Sequence, residues 1–89
     1  MSRRLVTVPN RLGLHARAAA RFVHLAQRFR ARVTVSQGGR TMEGKSILGV
    51  LLLAACQGAE LELQAEGEDA EEALNALAAL VLGGFGEEA

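Results

Sequence analysis

His15 and Arg17 stand two residues apart, just after Gly13, in the stretch Asn10-Arg11-Leu12-Gly13-Leu14-His15-Ala16-Arg17. A neutral imidazole is a nucleophile and a guanidinium binds oxyanions, so the pair suits transient capture of a phosphoryl group. From Ala16 onward, Ala19, Phe22, Val23, Ala26 and Phe29 form an apolar stripe, with Arg17, Arg21, Gln27 and Arg28 largely between them. That spacing predicts an amphipathic helix running to about Arg30. Gly13 is a natural corner ahead of it. His15 then lies at the helix's N-terminal end, where the N–H groups of Ala16, Arg17 and Ala18 and the helix dipole favour an anion. The same positive end opposes protonation and keeps the ring nucleophilic. A capping histidine without reactivity is the plainer alternative.

Other residues suggest chemistry less strongly. Gly39-Arg-Thr-Met-Glu-Gly44-Lys45-Ser46 matches a nucleotide-binding phosphate loop letter for letter. Gly38-Gly39 serves better as a hairpin turn, however, and no later apolar strand ends in an Asp that could hold a metal. Cys56 has no His or Cys partner at ligand spacing and reads as inert; a lone cysteine also fits a reducing compartment. His24, nine residues after His15, falls half a turn away round the helix and reads as a surface residue.

The elements that must position His15 follow from periodicity. Arg4–Val8 reads as a first strand with Val6 and Val8 on one face, ended by Pro9-Asn10. After the His15 helix, Arg32–Ser36 alternates as a second strand, and Arg40–Glu43 is a short third. Ser46 is the expected N-cap of an apolar helix over Ile47–Leu53 that Gly58 would end. Glu60–Glu66 alternates strictly, with Leu61, Leu63 and Ala65 inward. Asp69 with Glu72 suggests a capping box for a last helix carrying Leu74, Leu77 and Val81, stopped by Gly83-Gly84. The tail from Phe85 to Ala89 reads as short, acidic and loose. The order βαββαβα predicts an α+β fold: an open-faced two-layer sandwich of a four-stranded antiparallel sheet with three helices on one face.

With 89 residues, there is room for one domain over 1–89 and one modest core of Leu, Val and Ala, since the only aromatics are three Phe. The longest apolar run, Ile47 to Cys56, is too short to span a bilayer, and no targeting signal precedes the first strand, so a cytoplasmic protein is expected. Net charge is zero, but all ten Lys and Arg lie in positions 1–45 with only Glu43 opposing them. Either these are ordinary solvated faces, or a basic surface surrounds His15 and attracts acidic or phosphorylated partners. Strands without Phe, Tyr or Trp argue against nucleic-acid stacking.

Gly13-Leu-His15-Ala-Arg17, Phe22-Val23, Ala26, Phe29, Gly44-Lys45-Ser46-Ile47, Gly58 and Glu66-Gly67-Glu68-Asp69 together resemble, without gaps, the HPr family of histidine phosphocarriers of the bacterial phosphotransferase system. The resemblance implies that His15 is the phosphoacceptor, Arg17 its phosphate partner and Ser46 the regulatory phosphorylation site of some members, where added charge would sit beside the anion site. It implies a stoichiometric carrier rather than a free-standing enzyme, with no metal or cofactor. Enzyme I, charged by phosphoenolpyruvate, would be the donor and IIA-type proteins of sugar uptake the acceptors. A serine kinase/phosphorylase would act on Ser46, and Ile47, Leu48, Leu51 and Leu52 would form the docking patch of a monomer. Ala18 replaces the family's usual proline, and Leu12 stands where many members carry a small polar residue. Asn10-Arg11-Leu12-Gly13 and the Gly-Phe-Gly-Glu-Glu tail look like the nitrogen-related regulatory branch. A non-catalytic regulatory module on the same fold is the other alternative.

Overall fold

In the computed structural model, which describes residues 2–87, the chain forms β1 (Ser2–Thr7), α1 (Ala16–Ala26), β2 (Arg32–Gln37), β3 (Arg40–Glu43), α2 (Ile47–Leu52), β4 (Glu60–Glu66) and α3 (Ala70–Leu82), then a 3-10 turn over Gly84–Gly86. The strands make one antiparallel sheet in the order β1-β4-β2-β3. Register follows the alternation of the sequence: Val6 lies opposite Leu61, Val33 opposite Ala65, and Val35 opposite Leu63. Those side chains are all buried, whereas Leu5, one residue out of phase, is exposed. The helices cover that apolar face with Phe22, Val23, Val50, Leu74, Leu77 and Val81. None of the described helices is long and apolar enough to cross a membrane.

Boundaries differ from expectation where distant side chains intervene. α1 stops at Ala26 rather than Arg30, although Phe29 continues the apolar stripe and packs on the core. Its last turn tightens: Arg28 N–H donates to Leu25 O and Phe29 N–H to Ala26 O. Lys45 Nζ donates to Phe29 O at 2.7 Å, and Asp69 accepts from Arg30 N–H and Ala31 N–H at 2.8 and 2.7 Å. Asp69 is therefore not the capping box of α3; it caps nothing in its own helix and ties that helix to the end of α1. The Arg30 N–H bond is the main reason its carboxyl is held below the ordinary range.

Lys45 and Gly39, the two anchors of the phosphate-loop pattern, have structural tasks. Gly39 turns the β2–β3 hairpin and Lys45 closes the α1 end. α2 ends at Leu52 because Ala54 takes a left-handed backbone (φ 50°); Gly58 instead donates to Val8 O in the turn that leads into β4.

Ser46 caps α2 as expected, its Oγ accepting from Gly49 N–H at 3.1 Å. Ser46→Ala is expected to lower the free energy of unfolding by about 1 kcal/mol, measured by urea denaturation. A loss under a few tenths would mean that the cap contributes nothing to the fold.

Candidate functional site

The backbone between β1 and α1 holds His15 in a fixed place. Asn10 is almost wholly buried, and its Nδ2 donates to Gly13 O at 2.9 Å, closing the loop. Gly13 has φ 65°, and a Cβ on it would lie 2.3 Å from Ala55 O, so only glycine fits. Leu14 N–H then donates to that same Ala55 oxygen at 2.9 Å. His15 follows with extended backbone angles as the N-cap of α1, and its Nδ1 accepts from Arg17 N–H at 3.3 Å. Its carbonyl accepts from Ala19 N–H, which leaves the N–H groups of Ala16 and Ala18 without partners among the described residues. Ala18 buries its methyl in the core, so the replacement of proline leaves one more donor at this helix end.

The other ring nitrogen meets the C-terminal segment. His15 Nε2 contacts Glu87 Oε2, and Glu87 Oε1 accepts from Asn10 Nδ2 at 2.7 Å. The expectation of a loose tail is overturned for Phe85–Glu87, while Glu88 and Ala89 lie outside the described residues. Phe85 is fully buried, and Arg21 donates to its carbonyl oxygen. Three successive left-handed residues, Gly84, Phe85 and Gly86, turn the chain back over α1. Burial pushes the Glu87 carboxyl up, but hydrogen bonds from His15 and Asn10 and the nearby guanidinium of Arg21 outweigh it. The group is held below its ordinary range.

A cleft of about 870 Å³ opens at this point, lined by Arg11, Leu12, His15, Arg17, Arg21, Gly86 and Glu87. The charge asymmetry of the sequence is resolved here in space. Among the described residues, Arg3, Arg4, Arg30 and Arg32 pair with Glu62, Glu71, Glu68 and Glu43 across the sheet and its borders. Among the described residues Arg11, Arg17 and Arg21 form no such ion pair and line the cleft beside His15, whereas Arg28, Arg40 and Lys45, also outside those pairs, lie away from it. No group of three His, Cys, Asp or Glu able to hold a metal occurs among the described residues. His24 is exposed on α1, and Cys56 is exposed.

The other candidates separate into two places. α2 packs on α1 in the opposite direction: Lys45 O accepts from Gln27 Nε2, while Ala55, just past α2, binds Leu14. Ser46 therefore lies at the far end of α1 from His15, about 16 Å away for 11 residues at 1.5 Å each. That corrects the expectation of a charge beside the anion site, since an exposed charge at such a distance is largely screened at about 0.15 M salt. On α2, Leu48 is 67 % exposed, Leu52 49 % and Ile47 38 %, while Leu51 is half-buried and packs on the core. Three of the four expected docking residues thus present apolar surface, and Leu12, 71 % exposed, adds to it at the cleft.

The sequence singles out His15, Arg17 and the α2 patch, whereas Asn10 and Glu87, which the structure brings to His15, carry no local signal of it. The signal for the tail was present: Phe85 is one of three aromatics, and such a residue between glycines in a chain short of large side chains is an anchor.

Comparison with known proteins agrees with this geometry. Residues 2–82 match the family model described as the PTS HPr component phosphorylation site. The chain is 46 % identical over 87 residues to the phosphocarrier protein HPr of Cupriavidus necator, covering 98 % of both chains. It is 44 % identical over 84 residues to the phosphocarrier protein NPr of Shewanella violacea, covering 94 % of this chain and 92 % of that one. The crystal structure of HPr-C-His from Thermoanaerobacter tengcongensis superposes over the whole of both chains with a TM-score of 0.96 at 40 % identity. A histidine capping a helix inside a cationic cleft, on this fold and with these relatives, leads to one conclusion: the chain belongs to the HPr family, the phosphocarriers of the phosphotransferase system that relay phosphoryl groups on a histidine.

Proposed function

We propose that His15 is the phosphorylated histidine, that Nδ1 is the atom that attacks phosphorus, and that Arg17 and the N–H groups of Ala16, Arg17 and Ala18 receive the phosphoryl oxygens. The observation that carries this reading is the orientation of the ring. Nδ1 accepts from Arg17 N–H and therefore presents a lone pair at the helix end that favours anions, while Nε2 is turned towards Glu87. A phosphoryl group on Nδ1 would sit over that helix end and beside Arg17 in the cleft.

In this reading the donor is enzyme I charged by phosphoenolpyruvate and the acceptors are IIA-type proteins, all meeting the carrier in the cytoplasm. Ile47, Leu48, Leu51 and Leu52 form the docking surface, supported by the exposure of three of them on the helix that packs beside α1. Ser46, at the edge of that surface, would act through docking when phosphorylated, because its charge is too far from His15 to act on the ring. The resemblance to an NPr favours a second assignment, a nitrogen-branch regulatory carrier using the same chemistry.

Incubation with enzyme I and phosphoenolpyruvate tests the site. One phosphoryl group per chain is expected, released in acid and stable in alkali, as a phosphoramidate is and a phosphoserine is not. Acid-stable label would overturn the assignment to His15. Exchange of the enzyme I and IIA partners of the sugar and nitrogen branches, read as relative transfer rates, distinguishes the two assignments.

A further inference from the structure

Glu87 is a partly buried carboxylate held against the reactive ring by four features, none of which the phosphocarrier reading uses. Asn10 donates to its Oε1, Phe85 anchors the segment in the core, Arg21 holds the Phe85 carbonyl, and the left-handed run from Gly84 to Gly86 aims the segment at His15. The Glu87 side chain is only 14 % exposed, against 27 % for His15. A Cβ on Gly86 would come within 3.1 Å of the Arg21 guanidinium, and its φ of 75° disfavours any side chain. The segment is thus built to pass close over Arg21 and end on the imidazole.

We infer that Glu87 is a positioning residue for phosphoryl transfer, holding the proton of His15 on Nε2 so that Nδ1 keeps its lone pair towards the helix end. This rests on the assignment of His15 as acceptor. A neutral histidine carries one ring proton, and the nitrogen that lacks it is the nucleophile. An ionised carboxylate accepts but cannot donate, so the Nε2 that faces Glu87 is the protonated nitrogen. Arg17 N–H, a donor, faces Nδ1 and selects the same tautomer from the other side. Without Glu87 only the longer Arg17 N–H bond, at 3.3 Å, would favour that tautomer, so a share of the rings would adopt the other one, which presents N–H, not a lone pair, to the incoming phosphorus.

The carboxylate also balances charge during the step. Nδ1 forms a bond to phosphorus as the bond from phosphorus to the donor atom that carried it breaks, and that electron pair leaves with the donor. The proton stays on Nε2, so the ring becomes a cation, and Glu87 opposes it at hydrogen-bond distance. On the return step the same charge makes the ring a better leaving group, which regains the electron pair as the acceptor takes the phosphoryl group. Glu87 thereby helps both directions without touching phosphorus.

The test compares wild type, Glu87→Ala, Glu87→Gln and Glu87→Asp as full chains. Ring nitrogen chemical shifts of His15 report the tautomer. The wild type is expected to be almost wholly Nε2–H, and Glu87→Ala a mixture of both forms. Glu87→Gln can still accept through its amide oxygen, so its tautomer is expected to remain largely Nε2–H while transfer slows, because the cation is no longer opposed. Transfer to and from Glu87→Ala is expected to fall roughly tenfold to a hundredfold, the loss typical of one charge-assisted hydrogen bond. Glu87→Asp should recover part of it.

Unchanged His15 tautomers in Glu87→Ala, an Nδ1–H wild type, or faster transfer in Glu87→Ala would each overturn the inference. The last would mean that the segment blocks the site instead of preparing it. Failure of the parent assignment is distinguishable: label on His15→Ala would refute His15 as acceptor while the tautomer measurement stood.

Discussion

Replacing His15 by alanine is expected to abolish phosphoryl acceptance while leaving stability within about 1 kcal/mol of wild type, the usual cost of a lost N-cap. The reason is geometric. In the proposed mechanism the ring is the nucleophile of the cleft, where every other lining side chain is a guanidinium, an aliphatic group or a carboxylate. It lies outside the buried core, whose nearest members in sequence are Leu14 and Ala18. Arg17→Ala is the graded companion, expected to accept phosphate more slowly in at least one direction, because helix N–H groups and Arg11 and Arg21 still face the anion. Intact-mass measurement after incubation with enzyme I and phosphoenolpyruvate reads both. Acceptance by His15→Ala at any rate near wild type would sink the histidine mechanism.

Phe85→Ala is expected to be the most destabilising substitution outside the sheet, by about 3–5 kcal/mol, the range for emptying a fully buried Phe site. At roughly 4–8 °C per kcal/mol for a domain of this size, calorimetry should register a large fall in Tm. The backbone of Phe85 is left-handed, φ 59°, which costs a residue with a Cβ roughly 1–2 kcal/mol. Burial of its ring offsets that with about 1.5–3 kcal/mol and more through lost voids, so the anchor wins. Phe22→Ala, equally buried in α1, is the control. Both variants should lose stability, but only Phe85→Ala should release Glu87 and disturb the His15 tautomer below its melting temperature. A Phe85→Ala chain as stable as wild type would mean that the segment is not anchored.

The contrast between these residues explains what could be read in advance. β4 lies where alternation placed it, with Leu61, Leu63 and Ala65 buried on one face, and β3 lies where the Gly38-Gly39 turn placed it, although Met42 alone among its residues is partly covered. His15 and Arg17 were legible because the helix that carries them is amphipathic and a glycine corner precedes it. The end of α1 was not, since Phe29 keeps the apolar spacing while the side chains of Lys45 and Asp69 take over its backbone partners. Asn10 resembled an ordinary turn residue, and only its burial reveals that it clamps the loop and the tail together. Glu87 looked like one more acid in a polar tail. Its role depends on a contact spanning 72 residues, and local pattern carries no trace of such a contact.

That span has a consequence for how portable the chemistry is. The stretch from Asn10 to Val23 contains the signature histidine and arginine, yet a peptide copy of it would lack almost everything that sets the ring. An isolated helix so short is marginal in water, so the anion-favouring end would be present only part of the time. The Ala55 oxygen that fixes the corner and the carboxylate that faces Nε2 would be absent altogether. The motif is an address from which the family is recognised. The reagent is the folded chain, and the histidine cannot be transplanted without both of its distant neighbours.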